Sequence, residues 1–222
     1  RDRTPWRSFR RREQASSVRF GGSLPDVVTF VPGMVIGRWT VTSSHPVNAG
    51  WWYVSSAGAA GRHVLELVPL RDGRDASVID RAFAISGRMS PLDGERWIDC
   101  GELRSTAADG TTVAWLVREE LPYGPPLPIP SGEIVMAART LLSLRDRLGV
   151  DGVPLEFAVD DLVVLPGGVV RIRRPGLPER VATEGDVLRY LRSVHVDDQG
   201  PAAAVVTTAT SIAELAAHAA EA

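Results

Sequence analysis

The sequence predicts an α+β chain in two parts, a five-stranded antiparallel sheet with one helix followed by a smaller, mainly helical part. The first half contains short apolar runs that Gly and Ser clusters separate, which is typical of a meander of strands. Five prolines within residues 121–130 indicate an extended hinge, because proline interrupts both helices and central strands. After this hinge, helical periodicity and one tight hairpin replace the strands.

The strands and helix of the first half follow from apolar spacing. Ala76–Ile85 has apolar residues at helical spacing, and Asp109-Gly110 is a predicted turn before the last strand. In the second strand, Trp51-Trp52-Tyr53 is interpreted as core rather than as an exposed docking surface. The predicted strands are Met34–Val41, Trp51–Ser55, His63–Leu70, Glu95–Cys100 and Thr111–Val117.

The second half begins with a long amphipathic helix. Ser131 is its predicted N-cap, and Gly149 ends its apolar stripe. Pro166-Gly167-Gly168 then joins two short apolar runs, Leu162–Leu165 and Val169–Ile172, as a hairpin. A second helical pattern covers Asp186–Val194.

These elements divide the chain into five segments. They are a basic, flexible linker (1–31), the sheet part (32–121), the hinge (122–130), the helical part (131–196) and an Ala/Thr-rich tail (197–222). The tail is predicted as a short docking helix or as disorder, with disorder favoured for its first half.

Composition excludes several classes of chemistry. The chain has no lysine, so a Walker-type phosphate loop, a Schiff base and a lysine general base are all excluded. Its only asparagine is Asn48. Its one cysteine, Cys100, indicates a buried small hydrophobe in a reducing compartment. Four scattered histidines show no metal spacing, and a net charge of −2 gives no overall attraction to nucleic acid. We therefore expect neither a metal nor a cofactor.

The order of these elements resembles the bacterial Ser/Thr protein kinase fold over roughly residues 32–194. Pro32–Val41 is similar to the family's opening strand, Val64–Leu70 to its third strand and Ala76–Ile85 to its αC helix. Pro154–Ile172 is similar to the catalytic loop with its hairpin, and Arg174-Pro175-Gly176-Leu177 stands where the family has Asp-Phe-Gly-Leu. The resemblance implies a kinase-like N-lobe with a reduced C-lobe, because little sequence remains for the late helices.

Each catalytic position that the resemblance assigns carries an unsuitable residue. The family's phosphate-binding lysine falls at about Leu67, its catalytic Asp at Phe157, its metal-binding Asn at Leu162 and its metal-binding Asp at Arg174. The glycine-rich loop becomes the segment 43–50, with a single glycine. Phosphoryl transfer depends on metal and lysine charge, so we predict no catalytic residues. Arg174 is instead predicted to pair with Asp160 or Asp161.

The resemblance therefore implies a catalytically inactive pseudokinase that binds protein partners. The first residue, Arg1, suggests a piece of a larger protein, and the Arg-rich start (residues 1–13) suggests a segment close to a membrane. The resemblance implies that this protein is an actinobacterial-type envelope or secretion protein, with the domain on its cytoplasmic side. The alternative is an atypical nucleotide-binding transferase that uses Asp160 or Asp161 for metal. A third hypothesis is an α+β adaptor that binds peptide by strand addition.

Overall fold

The protein is described by a computed structural model over residues 30–46, 50–70, 73–104, 112–123, 127–177, 180–196 and 202–218. The chain forms two compact units. The first comprises residues 1–86 and 97–121, and the second comprises residues 87–96 and 122–222. The Arg-rich segment and the predicted Asp109-Gly110 turn lie outside the described residues.

The first unit contains one antiparallel sheet. Its spatial order is β1-β2-β3-β4-β6-β5, so the last two strands exchange places relative to their order in the chain. One helix, α1 (Gly73–Ser86), connects β4 to β5. The strands are β1 (Val35–Ile36), β2 (Trp39–Ser44), β3 (Trp51–Ser55), β4 (Arg62–Leu70), β5 (Trp97–Arg104) and β6 (Thr112–Glu120).

The sheet has six strands because the first predicted strand divides in two. Gly37 has a φ of +59°, a left-handed conformation that glycine adopts without the Cβ penalty. The chain therefore turns at Gly37, and Ile36 pairs with Trp39 across a tight hairpin. A Cβ at residue 37 would also lie 3.0 Å from the Trp115 ring.

One face of this sheet carries an apolar cluster rich in tryptophan. Trp39 is fully buried, and Trp52 and Trp115 are nearly so. Phe30, assigned to the linker from sequence, belongs to this cluster, with its ring 4.6 Å from that of Trp52. The apolar core therefore begins before the predicted linker boundary at residue 31.

Asp99 connects the two ends of the sheet. This β5 carboxylate accepts hydrogen bonds from Trp39 Nε1 at 2.8 Å and from Arg38 Nε at 2.9 Å. Because β2 and β5 are separated by three other strands in the sheet order, this contact requires the sheet to curl. Cys100, the next residue, is buried, and its burial raises its pKa to about 12, as expected for an inert thiol.

The second unit is built on α2 (Ser131–Arg147) and the predicted hairpin. The hairpin is confirmed: β7 (Leu162–Leu165) pairs with β8 (Val169–Ile172) around Pro166–Gly168. Ser131 is not an N-cap as predicted, because the helix is preceded by Pro130 and the Ser131 hydroxyl lies 2.7 Å from His195 Nε2. Three helices follow: α3 (Glu184–Val194), α4 (Ala203–Thr208) and α5 (Ile212–Ala217).

Residues 87–96 join the second unit through backbone hydrogen bonds to β8. Glu95 N donates to Ile172 O, and Ile172 N donates to Asp93 O, each at 3.0 Å. Gly94 lies between them, and a Cβ there would approach Ile172 O to 2.0 Å. Only glycine therefore fits at residue 94.

Residues 202–218 of the tail pack against the rest of the second unit. Ile212 and Leu215 are buried, and Arg139 Nε in α2 donates to Ala216 O at 2.9 Å. The predicted docking helix is confirmed, whereas the disorder favoured for the first half is wrong for Ala203–Thr208, which forms α4. Burial of apolar side chains stabilises these tail helices. Among the described residues, no helix has the length and apolarity that crossing a bilayer requires.

We predict that stability falls with acidification because of His63. Its imidazole is buried beside the Trp39 ring, and burial lowers its pKa below the ordinary 6.5, assisted by Arg38 and opposed by Glu119. The unfolded chain therefore binds the proton more readily. The free energy of unfolding should fall as pH drops below about 6.5 and level off below the folded-state pKa.

Urea denaturation at pH 7.5 and 5.5 checks this prediction. The loss between the two pH values should be smaller in His63→Gln than in wild type. Asp93 does not contribute to the difference between these two pH values, because its lowered pKa affects stability only below about 3.8. An equal loss in both proteins would contradict the assignment to His63.

Candidate functional site

In the first unit, the lysine position is occupied by apolar packing. Leu67 packs against the tryptophan-rich cluster, as does Leu65. Because side chains alternate along a strand, Glu66 points to the opposite face of β4. There its carboxylate lies 2.6 Å from Arg118 Nε of β6, and both side chains are buried, with 1% and 3% exposed.

This ion pair makes the Arg118 charge inaccessible to a ligand. Arg118 is committed to Glu66 and also stacks over the Trp51 ring at 4.8 Å. Phosphate binding requires an accessible cation. Arg118 of β6 is instead buried beside the Glu66 carboxylate of β4. Neither residue was singled out from sequence, because they are 52 positions apart in the chain and nothing local indicates their contact.

The loop that replaces the glycine-rich loop begins with a packed histidine. The His45 ring lies 5.2 Å from the Trp51 ring and 5.0 Å from the Tyr53 ring, and its Nε2 is 3.2 Å from Glu120. Arg62 stacks on Tyr53 and reaches Glu120 at 3.4 Å. Residues 47–49 lie outside the described chain.

In the second unit, the predicted acidic pair separates into two environments. Asp160 and Asp161 end a single 3₁₀ turn, Val159–Asp161. Asp160 is exposed, whereas Asp161 is 5% exposed and lies 4.0 Å from Arg174 Nη1. Arg174 is itself 9% exposed. The predicted arginine–aspartate pair is therefore confirmed for Asp161.

The hairpin holds this ion pair in place. Arg173 N donates to Asp161 O at 2.9 Å, which extends the β7–β8 ladder by one residue beyond Ile172. At the position of the catalytic aspartate, Phe157 is 4% exposed, and its carbonyl accepts from Ala182 N. Leu162 is 2% exposed. Both positions belong to the core of the second unit.

Two other polar contacts in the second unit were missed from sequence. Arg147 Nη2 donates to Asp93 Oδ1 at 2.6 Å; burial opposes ionisation of Asp93, but hydrogen bonds from Arg147 and Ser90 outweigh it and lower the pKa. The Ser131–His195 pair has the spacing of a nucleophile and base, but Ser131 is only 1% exposed and cannot reach an external substrate. Within the described ranges, no three His, Cys, Asp or Glu side chains group as metal ligands.

Comparison with solved structures identifies the architecture. A single-substitution variant of the Mycobacterium tuberculosis PknI kinase domain matches with a TM-score of 0.53 and 13% sequence identity, covering 87% of this chain and 98% of that chain. A double-substitution variant of the same domain matches with a TM-score of 0.51 and 14% identity over the same shares. The fold is protein kinase-like. No protein-family model and no curated protein sequence matches the chain.

The kinase-like fold here is reduced. Its second unit contains α2, the hairpin and three further helices among the described residues, of which α4 and α5 have six residues each. Low identity makes the likeness one of fold alone. What the site does must therefore be argued from the residues present.

We predict that Glu66 and Arg118 stabilise the first unit only as a pair. Arg118→Met leaves a buried carboxylate without its counter-charge and should lower the free energy of unfolding by about 3–5 kcal/mol. The double variant Glu66→Leu/Arg118→Met removes both charges and should recover most of that loss. Urea denaturation of the single and double variants measures the coupling. Additive losses would show that the two side chains act independently.

Proposed function

We propose that this chain is a catalytically inactive kinase-like domain that functions as a protein-binding module. The observation that carries the proposal is the buried Arg174–Asp161 pair at 4.0 Å. In the kinase pattern, the position of Arg174 belongs to an aspartate that binds the metal. A guanidinium repels a divalent cation, and it also neutralises the neighbouring carboxylate that would have to replace the missing ligand.

The remaining positions support the same conclusion. Phosphoryl transfer proceeds mainly by positioning and by charge neutralisation from metal and lysine. Leu67 is apolar and packs against the tryptophan-rich cluster, and Phe157 is apolar and buried in the second unit. Without a metal-binding pair, a lysine or a catalytic aspartate, the usual route to transfer has no components. Binding of a protein partner is the function that such a domain retains.

We predict that ATP with Mg²⁺ neither binds nor is consumed. A ligand at about 100 times its dissociation constant adds roughly 2.7 kcal/mol to the stability of a protein that binds it only when folded. Binding would thus raise the thermal midpoint. Because we expect no binding, the midpoint should be the same with and without millimolar ATP and Mg²⁺. Labelled ATP should transfer no phosphate to the chain or to a generic protein substrate, with an active kinase measured in parallel.

The rival function, an atypical transferase, predicts a different outcome. A Mg²⁺-dependent rise in the midpoint that Asp160→Asn or Asp161→Asn abolishes would overturn the proposal and assign metal binding to these residues. Asp160→Asn is the cleaner variant, because Asp160 is exposed and its replacement leaves the Arg174–Asp161 pair intact. Under the binding-module proposal, partner capture is unaffected by Asp160→Asn and by ATP.

We further propose that the Arg-rich segment brings the domain to the cytoplasmic face of a membrane, as part of a larger bacterial envelope or secretion protein. Six arginines lie within residues 1–13, together with Trp6 and Phe9. Each basic residue near an anionic bilayer contributes about 1 kcal/mol, and the aromatic rings suit the interface.

We predict salt-sensitive binding to vesicles that contain anionic lipid. The chain should sediment with phosphatidylserine-containing vesicles at low salt and be released as salt rises, because surface charge is screened. Replacement of the six arginines by glutamine is the matched variant and should remain in solution. Equal binding to neutral phosphatidylcholine vesicles, or binding that survives the replacement, would contradict the proposal.

A further inference from the structure

Two arginines at the end of β8 lie on one side of the hairpin. Val170 and Ile172 are buried on the inner face, so Arg171 between them faces outward. The ladder continues to Arg173, since its N–H donates to Asp161 O. Arg173 therefore projects to the same side as Arg171, about 6.6 Å farther along the strand.

These two half-buried arginines differ from the buried Arg118 and Arg174. Arg118 pairs with Glu66, and Arg174 pairs with Asp161. In contrast, the Nε atoms of Arg171 and Arg173 are buried without a hydrogen-bond acceptor, and no carboxylate of the described residues forms an ion pair with either side chain. Buried donors without partners are rare and need an explanation such as a bound ion.

The Tyr123 ring packs on Arg173, and the Tyr190 hydroxyl contacts the neighbouring strand β7. The Arg173 guanidinium stacks over the Tyr123 ring at 4.9 Å, which directs its N–H groups sideways rather than into the ring. The Tyr190 hydroxyl accepts a hydrogen bond from Val164 N at 3.4 Å and retains its own proton for donation. Burial raises the pKa of Tyr190, against a smaller opposing effect of the Arg173 charge, so the phenol stays protonated at neutral pH.

The nearby carboxylates leave this positive charge uncompensated. Asp161 is turned toward Arg174, and Asp160 is exposed to solvent. All the groups concerned belong to the second unit, so the site depends on that unit alone.

We propose that Arg171, Arg173 and the Tyr190 hydroxyl form an oxyanion-binding site for a carboxylate or phosphate monoester carried by the protein partner. The planar guanidinium is suited to bidentate binding of both groups, and the phenol supplies a third donor. This inference rests on the proposed function, because it names the chemistry by which the module recognises its partner.

Two aryl probes test the site without any nucleotide or partner. Phenyl phosphate and benzoate share a ring and differ in the oxyanion, and benzyl alcohol is the neutral control. Calorimetric titration at constant ionic strength should give saturable binding of at least one anion and none of the alcohol. Comparison of the two affinities identifies which oxyanion is preferred.

Single charge-removing variants assign the binding. Arg171→Gln and Arg173→Gln should each weaken the preferred anion by roughly tenfold or more, and Tyr190→Phe should weaken it less. Arg189→Gln is the matched control, because it removes an exposed arginine that pairs with Asp186 on α3, and it should leave the affinity unchanged. Without anion, Arg173→Gln should change the unfolding midpoint only slightly, because it removes stacking on Tyr123 but no ion pair.

Absence of saturable binding by both anions would overturn the inference. So would binding that persists in the double variant Arg171→Gln/Arg173→Gln, or that Arg189→Gln weakens equally. If one variant fails to fold, the other arginine variant and Tyr190→Phe still decide the question. These outcomes are independent of the ATP and Mg²⁺ test, so failure of the anion site and failure of the proposed function can be told apart.

Discussion

A guanidinium stays charged at any physiological pH, so a buried arginine requires an anion beside it. This constraint governs a chain whose only strong cations are arginines. In the first unit Glu66 lies 2.6 Å from Arg118, and in the second unit Asp161 lies 4.0 Å from Arg174 without a hydrogen bond to Oδ2. The side chains of Arg171 and Arg173 are half-buried, and their buried Nε atoms have no hydrogen-bond acceptor.

The same constraint applies at the positions that the kinase pattern assigns to charged residues. A kinase uses its cation for nucleotide phosphates and its carboxylate for metal. In this chain, the carboxylate beside Arg174 is committed to arginine, and Leu67 is part of an apolar cluster. At these positions the side chains contact groups of the protein itself. The likeness to the PknI kinase domain concerns the fold alone, and the proposal of binding rather than catalysis depends on the residues at these positions.

Elements governed by local rules could be predicted closely. The β7–β8 hairpin follows from the Pro166–Gly168 turn, and α2 follows from apolar periodicity. Elements governed by distant partners were harder. The local sequence predicts Ser131 as an N-cap. Its contact with His195 could not be predicted, because the two residues are 64 positions apart. Phe30 was placed in a linker because nothing near it in sequence indicates the Trp52 ring that it packs against.

The sequence alone determined the order of most strands and helices, the lack of lysine and the departures from the kinase pattern of residues, because each depends on residue type or short-range spacing. It also allowed an Arg174–aspartate pair without choosing between Asp160 and Asp161. Tertiary structure made that choice, since only one carboxylate of the 3₁₀ turn is buried toward Arg174. It also decided that Glu66 meets Arg118 and that Arg171 and Arg173 remain unpaired, because pairing across strands depends on register and packing, which residue order does not encode locally.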